Sequence, residues 1–526
     1  MASRLESTDT IAARLAALAR EAGPPPPLPE GPYLVAGLAR AGRAAVRALR
    51  DVGQTPVAAW DGLNSRETRR AQRTLTEGEG IVVRLGDYPD VGALLRRVGA
   101  GCVVKSPGIR LDHGLVLAAL HRRVAVIDEL ELGWRLARAP IVAVTGTNGK
   151  STVSALIHAV LTRAAVRSAL VGNTLYGPPL SAAPGDAEAL VCETSSYQLE
   201  ACPTFAPAVG VFTNLSADHL HRHGSMAAYA GCKRRLFHRA GHTVPLAVVN
   251  VDDAFGRRLA SEVEARGGCS VRYGRHPSAD YRVVSSRWTI ARNRVEIATR
   301  RGLVELAVRL PGAHNASNVA AAMALAGALG VPEERARAAV ECAHAPPGRF
   351  EVVSTGGAFD AVVDYAHNPD GFLQALRTAR RVLDDRGAGR LRVVAGIVGG
   401  HDPAEQRRAG RILRAHADEL VLTSSNLRGE RPLPLVQDML RGARTVAGAG
   451  VRVILERRAA IAATLAVARA GDIVLVLGRG ALSRQMVDRS GVWHDFDDRA
   501  VVRAWHAEQL AAGDTPLPRR RALAAT

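Results

Sequence analysis

Lysine is almost missing from this chain. Only Lys105, Lys150 and Lys233 occur among 526 residues, although lysine and arginine together number 69. Arginine has taken every other basic position, so a surviving lysine marks a place where a guanidinium does not serve. Aromatic residues are scarce, at 4%. That scarcity argues against a nucleic-acid surface, which interleaves stacking rings with cations. The formal charge of +19 is therefore read as a basic surface suited to anionic ligands, with no nucleic-acid partner. The cysteines Cys102, Cys192, Cys202, Cys232, Cys269 and Cys342 include no CxxC pair, which argues against a zinc ribbon or a disulfide framework. No apolar run approaches the roughly 18–20 residues of a membrane-spanning helix, so no membrane insertion is expected. The N-terminus carries Glu6 and Asp9 and has no apolar signal core. A cytoplasmic, reducing setting is the expectation.

What is present is an alternation of short apolar runs with helical stretches. Residues 1–31 read as an amphipathic segment and a linker, GPPPPLPEGP, whose prolines cannot pack as a helix. Three α/β units are expected after it, at 32–139, 140–345 and 346–515, with a loose tail at 516–526. Within the middle unit, 282–310 alternates like antiparallel strands.

The sharpest local signal is Gly146-Thr147-Asn148-Gly149-Lys150-Ser151-Thr152, which follows an apolar strand and opens a helix. Glycines let backbone N–H groups approach a phosphate, the helix N-terminus favours anions, and Lys150 adds a point charge. Ser151 or Thr152 suits Mg²⁺. Val144 stands where the longer form of this loop has its first glycine.

This short loop resembles that of the Mur ligase and folylpolyglutamate synthase superfamily. Glu193-Thr-Ser-Ser-Tyr-Gln-Leu-Glu200, the Asp218-His219-Leu-His-Arg-His segment and the downstream Lys233 resemble further motifs of the same family. The resemblance implies a three-domain α/β architecture. A Rossmann-like first domain binds a UDP substrate, a P-loop domain binds ATP, and a Rossmann-like third domain binds an amino acid. It implies that a carboxylate is activated as an acyl phosphate and then attacked by an amine. It implies Mg²⁺ held by Ser151 or Thr152, Glu193, His219 and a carbamylated Lys233. Only a lysine can be modified so. Lys150, Glu193, His219 and Lys233 are thereby the expected catalytic set. Histidines 219, 221 and 223 suggest zinc at first sight, but the oxygen donors favour Mg²⁺.

The resemblance extends to other sites. His314, Asn315 and Asn318 match amides that read adenine, Arg349 a γ-phosphate contact, and Asp364 a ribose ligand. The first unit resembles the glutamate-adding MurD branch. Gly37 and Gly42 flank its substrate turn, Asp61 falls at the uridine, and Ser106-Pro-Gly108 at the diphosphate, while Asn173 is a substrate or metal-region contact. The third unit departs from that branch. Asp364-Tyr-Ala-His367-Asn-Pro and Asn426-Leu-Arg428 resemble MurE, cyanophycin synthetase and folylpolyglutamate synthase instead. Arg428 would clamp an α-carboxylate, and His367 is the candidate proton acceptor.

The mixture implies a ligase that adds glutamate to UDP-N-acetylmuramoyl-L-alanine in peptidoglycan precursor synthesis. L-glutamate is the favoured form, with an epimerase acting afterwards. The chain is expected to work as a monomer. Three alternatives stand beside it: a D-glutamate-adding enzyme, another Mur or folylpolyglutamate-type amino-acid ligase, and a basic NTPase stimulated by nucleic acid.

Overall fold

The computed structural model describes residues 10–54, 57–86, 91–353, 359–396, 398–399, 402–427, 431–448, 450–486 and 493–511. The tail at 516–526 and Arg428 lie outside the described residues. No helix among them is long and apolar enough to cross a membrane.

The first sheet holds β1 (Tyr33–Ala36), β2 (Val57–Asp61), β3 (Val82–Leu85), β4 (Cys102–Lys105) and β5 (Ala125–Asp128), all parallel, in the order β3-β2-β1-β4-β5. Runs such as YLVA and CVVK are buried at every position, as a sheet with both faces covered requires.

The second sheet is built on β6 (Ile141–Thr145), β7 (Ser168–Gly172), β8 (Ala189–Glu193) and β9 (Val209–Phe212). A small hairpin, β10 (His238–Arg239) with β11 (His242–Thr243), stands apart from it. The sheet continues through β12 (Leu246–Asn250), β13 (Cys269–Gly274), β14 (Tyr281–Trp288), β15 (Asn293–Thr299) and β16 (Gly302–Val308). The order is β16-β15-β14-β13-β12-β9-β6-β8-β7, and only β14, β15 and β16 pair antiparallel. Strand β16 alternates exposed and buried residues, because one face packs into the core under the helix Glu333–Cys342.

The third sheet has β17 (Glu351–Val353), β18 (Asp360–Asp364), β19 (Leu391–Ala395), β20 (Glu419–Leu422), β21 (Val451–Val453) and β22 (Ile473–Leu477), ordered β17-β18-β22-β19-β20-β21. Only its edge strand β17 is antiparallel. A hairpin of β23 (Arg484–Met486) and β24 (Trp493–Asp495) follows.

The amphipathic segment expected before the linker is the helix Ile11–Ala22, capped by Thr10. It docks on the central unit: Leu15 is fully buried in the core beneath β6 and β9, and Arg14 Nη1 donates to Leu329 O at 2.7 Å.

The junction between the first two sheets is rich in buried charge. Lys105 Nζ meets Asp128 Oδ2 at 2.8 Å with both side chains fully buried. Next to this pair, Glu129 accepts Ser181 N at 2.7 Å, and burial pushes its carboxyl up to about 7. A carboxyl raised above its unfolded value stabilises the fold fully below about pH 4.5 and loses that contribution as pH rises through about 7. Glu129→Gln is therefore expected to raise stability at pH 8 by on the order of 1–3 kcal/mol and to change little at pH 5. Urea melts at the two pH values read this directly, and equal shifts at both would refute it.

Candidate functional site

Strand β6 delivers the chain into the phosphate loop. Gly146 sits at φ 150 and Gly149 at φ 85. A Cβ on Gly146 would lie 1.9 Å from Thr213 Oγ1, and one on Gly149 would lie 2.6 Å from Asn318 Oδ1. Both positions thus need glycine for space as well as for backbone conformation. The loop is stitched to the segment after β9. Thr147 N donates to Asn214 O at 2.8 Å, Asn148 N to Asn214 Oδ1 at 2.9 Å, and Thr213 Oγ1 to Asn148 O at 2.7 Å. Gly149 caps the helix Lys150–Arg163, whose N-terminus supplies the positive end of a dipole.

Two lysines converge on this loop. Lys150 Nζ donates to Gly146 O at 3.1 Å and Thr147 O at 2.7 Å. Lys233 Nζ donates to the same Gly146 O at 2.7 Å and lies 4.5 Å above the Tyr229 ring. Burial lowers the Lys150 ammonium, with Glu193 and Asp218 opposing it. Lys233 falls well below the ordinary value, first through burial and then through repulsion by Lys150. A neutral amine is what reaction with CO₂ requires, so the environment of Lys233 fits carbamylation.

Glu193 closes β8 and is 4% exposed. Its Oε2 accepts Ser151 Oγ at 2.7 Å, and Arg349 Nη2 donates to that Oγ at 3.0 Å from the third unit. Asn173 Nδ2 lies 3.5 Å from Glu193 Oε1. Among the described residues no group of three or more His, Cys, Asp or Glu could hold a metal alone. Ser151 and Glu193 instead offer hard oxygens beside the phosphate loop, which fits Mg²⁺ completed by phosphate oxygens and water. His219 sits at φ 57, with Nδ1 3.2 Å from the Tyr197 hydroxyl and 3.3 Å from Asp218 Oδ1. Burial drives its imidazole down to about 3, so it is neutral at physiological pH. His223 Nε2 is taken by Ser196 Oγ at 3.0 Å, and His221 Nε2 lies 3.4 Å from the Tyr197 hydroxyl. His219 and His221 share the Tyr197 hydroxyl while His223 turns to Ser196, and no zinc cluster forms among the described residues.

A cavity of about 440 Å³ between the central and third units is lined by Asn148, Gly149, Thr152, His314, Asn318 and Asp364, among others. Asn315 also reaches it, but its amide is partly committed. Nδ2 donates to Pro311 O at 2.7 Å and Oδ1 accepts Asn318 Nδ2 at 2.9 Å. The helix start thus uses one N–H and one lone pair of Asn315 to hold Pro311 and Asn318. His314 Nδ1 is buried without a hydrogen-bond partner, an open polar atom in a cavity suited to a base. Asp364 accepts Phe350 N at 2.6 Å and Ala366 N at 2.7 Å.

In the first unit Gly37, Gly42 and Ser106 meet at the end of β1. Ser106 Oγ donates to Gly37 O at 3.2 Å, and a Cβ on Gly42 would lie 1.6 Å from that oxygen. Asp61 shapes the same turn, accepting Leu38 N at 2.7 Å and Leu63 N at 2.9 Å. Gly108 follows on the adjacent loop, with open space over its Cα.

Beyond Arg349, the third unit reaches the loop segments through Asn368 and Asp370, to which the sequence assigned no role. Asn148 Nδ2 donates to Asp370 Oδ2, and Asn368 Nδ2 to Asp218 Oδ2, both at 2.8 Å. Asn-Pro at 368–369 signals a capped helix start, but nothing in the spacing signals its partner. His367 lies near His219, whose titration it perturbs. Asn426 is engaged inside its own unit, accepting Arg479 Nη1 at 2.7 Å. A larger cleft, of about 1400 Å³, lies away from the phosphate loop between the helices Arg40–Asp51 and Arg66–Glu79, walled by Arg43, Arg70 and Arg484.

Comparison with known proteins adds to this geometry. Residues 144–326 match the Mur ligase middle domain and 348–480 the Mur ligase glutamate ligase domain. The UDP-N-acetylmuramoyl-L-alanyl-D-glutamate–2,6-diaminopimelate ligase of Chromobacterium violaceum is 35% identical over 476 residues, covering 84% of this chain and 94% of the relative. A solved structure of a ligase of that name aligns at 27% identity and TM-score 0.51, over 87% of this chain and 93% of the other. The UDP-N-acetylmuramate-alanine ligase MurC of Thermotoga maritima shares the fold at TM-score 0.60 and 19% identity, over 91% and 99%.

Proposed function

Since the chain belongs to the Mur ligase family and is an ATP-dependent, amide-bond-forming ligase, we propose that it joins an amino acid to the free carboxylate of a UDP-N-acetylmuramoyl substrate. The observation that carries this reading is the convergence of Lys150, Lys233, Ser151, Glu193 and Arg349 on one phosphate loop.

The chemistry follows from these groups. A carboxylate attacking a γ-phosphate brings two anions together, so the main need is cationic stabilisation. Lys150 and the loop amides hold the terminal phosphates, and Arg349 reaches the same point from the third unit. Ser151, Glu193 and a carbamylated Lys233 would hold Mg²⁺, with His219 beside them, and the ion would supply further charge neutralisation. The amine then attacks the acyl phosphate, phosphate leaves, and His367 is the candidate to take the amine's proton. Contacts of Asn368 and Asp370 with the loop segments close the third unit over the site.

Two substrate pairs compete. The relatives at 30% identity or more are named for adding 2,6-diaminopimelate to an alanyl-glutamyl acceptor, which supports a MurE-type reaction rather than the glutamate expected from the sequence. The SPGI turn and ETSSYQLE segment support glutamate on the alanyl acceptor. The deciding experiment measures ATP-dependent phosphate release and product mass. UDP-N-acetylmuramoyl-L-alanine is offered with L- or D-glutamate, and its D-glutamyl dipeptide with diaminopimelate. Turnover of one pair alone assigns the amino acid, and no turnover of any pair removes the proposal.

A further inference from the structure

Arg222 lies within the Asp218–His223 segment but has been given no role above, and it joins that segment to two other motifs. It lies one turn beyond His219 in the short helix Leu220–His223. Its guanidinium crosses to the first unit, where Nη1 donates to Gly108 O at 3.1 Å and Nη2 to Pro107 O at 3.2 Å and Ile109 O at 3.0 Å. On its other side Nε and Nη2 hold Glu200 at 3.0 and 2.6 Å, and the guanidinium lies 4.4 Å from the Tyr197 ring centre. The two side chains are only 5% and 10% exposed. Arg110, leaving the same loop, returns a bond from Nη1 to His221 O at 3.2 Å.

This arrangement sets the loop's polarity. In a trans peptide the C=O and N–H point in opposite directions. Drawing Pro107 O toward Arg222 turns the Gly108 N–H away from it. That N–H has no backbone acceptor among the described residues, Gly108 is exposed, and a Cβ there would meet nothing within 4 Å. Ile109 N is instead spent locally on Ser106 O at 3.0 Å.

We infer that Arg222 is a positioning residue that aims the Gly108 N–H at an anionic group of the UDP-bearing substrate and couples that loop to the helix start at His219. The inference rests on the ligase reading above. A planar fork feeding three carbonyls and a carboxylate is not reproduced by a lysine ammonium.

The test compares wild type, Arg222→Lys and Arg222→Ala. The expected result is a KM for the UDP substrate raised roughly tenfold or more in both variants, an unchanged KM for ATP, and partial recovery of Arg222→Ala by added methylguanidinium. Hydrogen exchange of the ligand-free proteins is expected to accelerate at residues 106–110 in both variants. An unchanged UDP-substrate KM, or a KM for ATP raised equally, overturns the inference. If wild type turns over no UDP-N-acetylmuramoyl substrate, the ligase reading fails. Unchanged exchange at residues 106–110 then overturns the clamp separately.

Discussion

Replacing Lys150 with alanine is expected to abolish ATP-dependent phosphate release, a fall of roughly a thousand-fold or more, while leaving the melting temperature unchanged or slightly raised. The two halves of this expectation share one cause. The Lys150 ammonium is held against two loop carbonyls, Gly146 O and Thr147 O, and makes no ion pair within 4.0 Å among the described residues. Its charge is partly stripped of water, a loss that Glu193 and Asp218 offset only in part, which is a cost to the folded state. A nucleotide's terminal phosphate supplies the missing partner, so the cost is recovered only on binding. Removing the side chain relieves the cost and forfeits the binding. Phosphate-release kinetics paired with thermal melts read both quantities. Turnover within tenfold of wild type would sink the assignment, and a collapsed melting temperature would recast Lys150 as structural.

Lys233→Arg should be nearly as damaging, again by roughly a thousand-fold, although it conserves formal charge. Lys233 is 1% exposed, donates to Gly146 O and packs over Tyr229. A guanidinium is larger than the space and stays charged at every accessible pH, whereas the lysine is held toward neutrality. Its charge would also sit beside Lys150 with no means of becoming a carbamate anion. Native mass spectrometry of the wild type should reveal one added CO₂, lost in CO₂-depleted buffer together with activity and regained with bicarbonate. Wild-type turnover by Lys233→Arg would contradict the carbamate and leave Lys233 as a simple loop anchor.

Much of this was legible from short-range patterns. Runs such as ALVCE and AVGVF are buried throughout, and their shortness between turn residues reads as buried strand. The phosphate loop was legible because glycine, lysine and a helix start fall within a few residues. Strand β3 was not, since Val82 and Arg84 are exposed and VVRL carries no strong apolar signal. Docking of the helix Ile11–Ala22 was hidden for a different reason. Amphipathicity declares an apolar face but not the surface that covers it. The pairings Asn148–Asp370 and Arg222–Gly108 link residues more than a hundred positions apart, and no local spacing encodes them. The choice of amino acid is the least legible feature, because it depends on how a few side chains in the third unit face a small molecule.

The way the units are fastened together has a mechanical consequence. The first unit is bolted to the central one at several points: through the chain at residues 129–140, through Leu15 and Arg14 of the opening helix, and through Arg222. The third unit leaves on a single stretch of chain; Arg349, Asn368 and Asp370 bond it to the phosphate-loop segments, Trp288 and Ile290 pack on its core, and Arg484 pairs with Glu67 of the first unit. On the ligase reading, the first two units form a stator and the third the moving part. On that reading, opening the site means releasing those few hydrogen bonds and the Trp288 and Ile290 contact, and the UDP-bearing group, which the product still carries, departs from the fastened half.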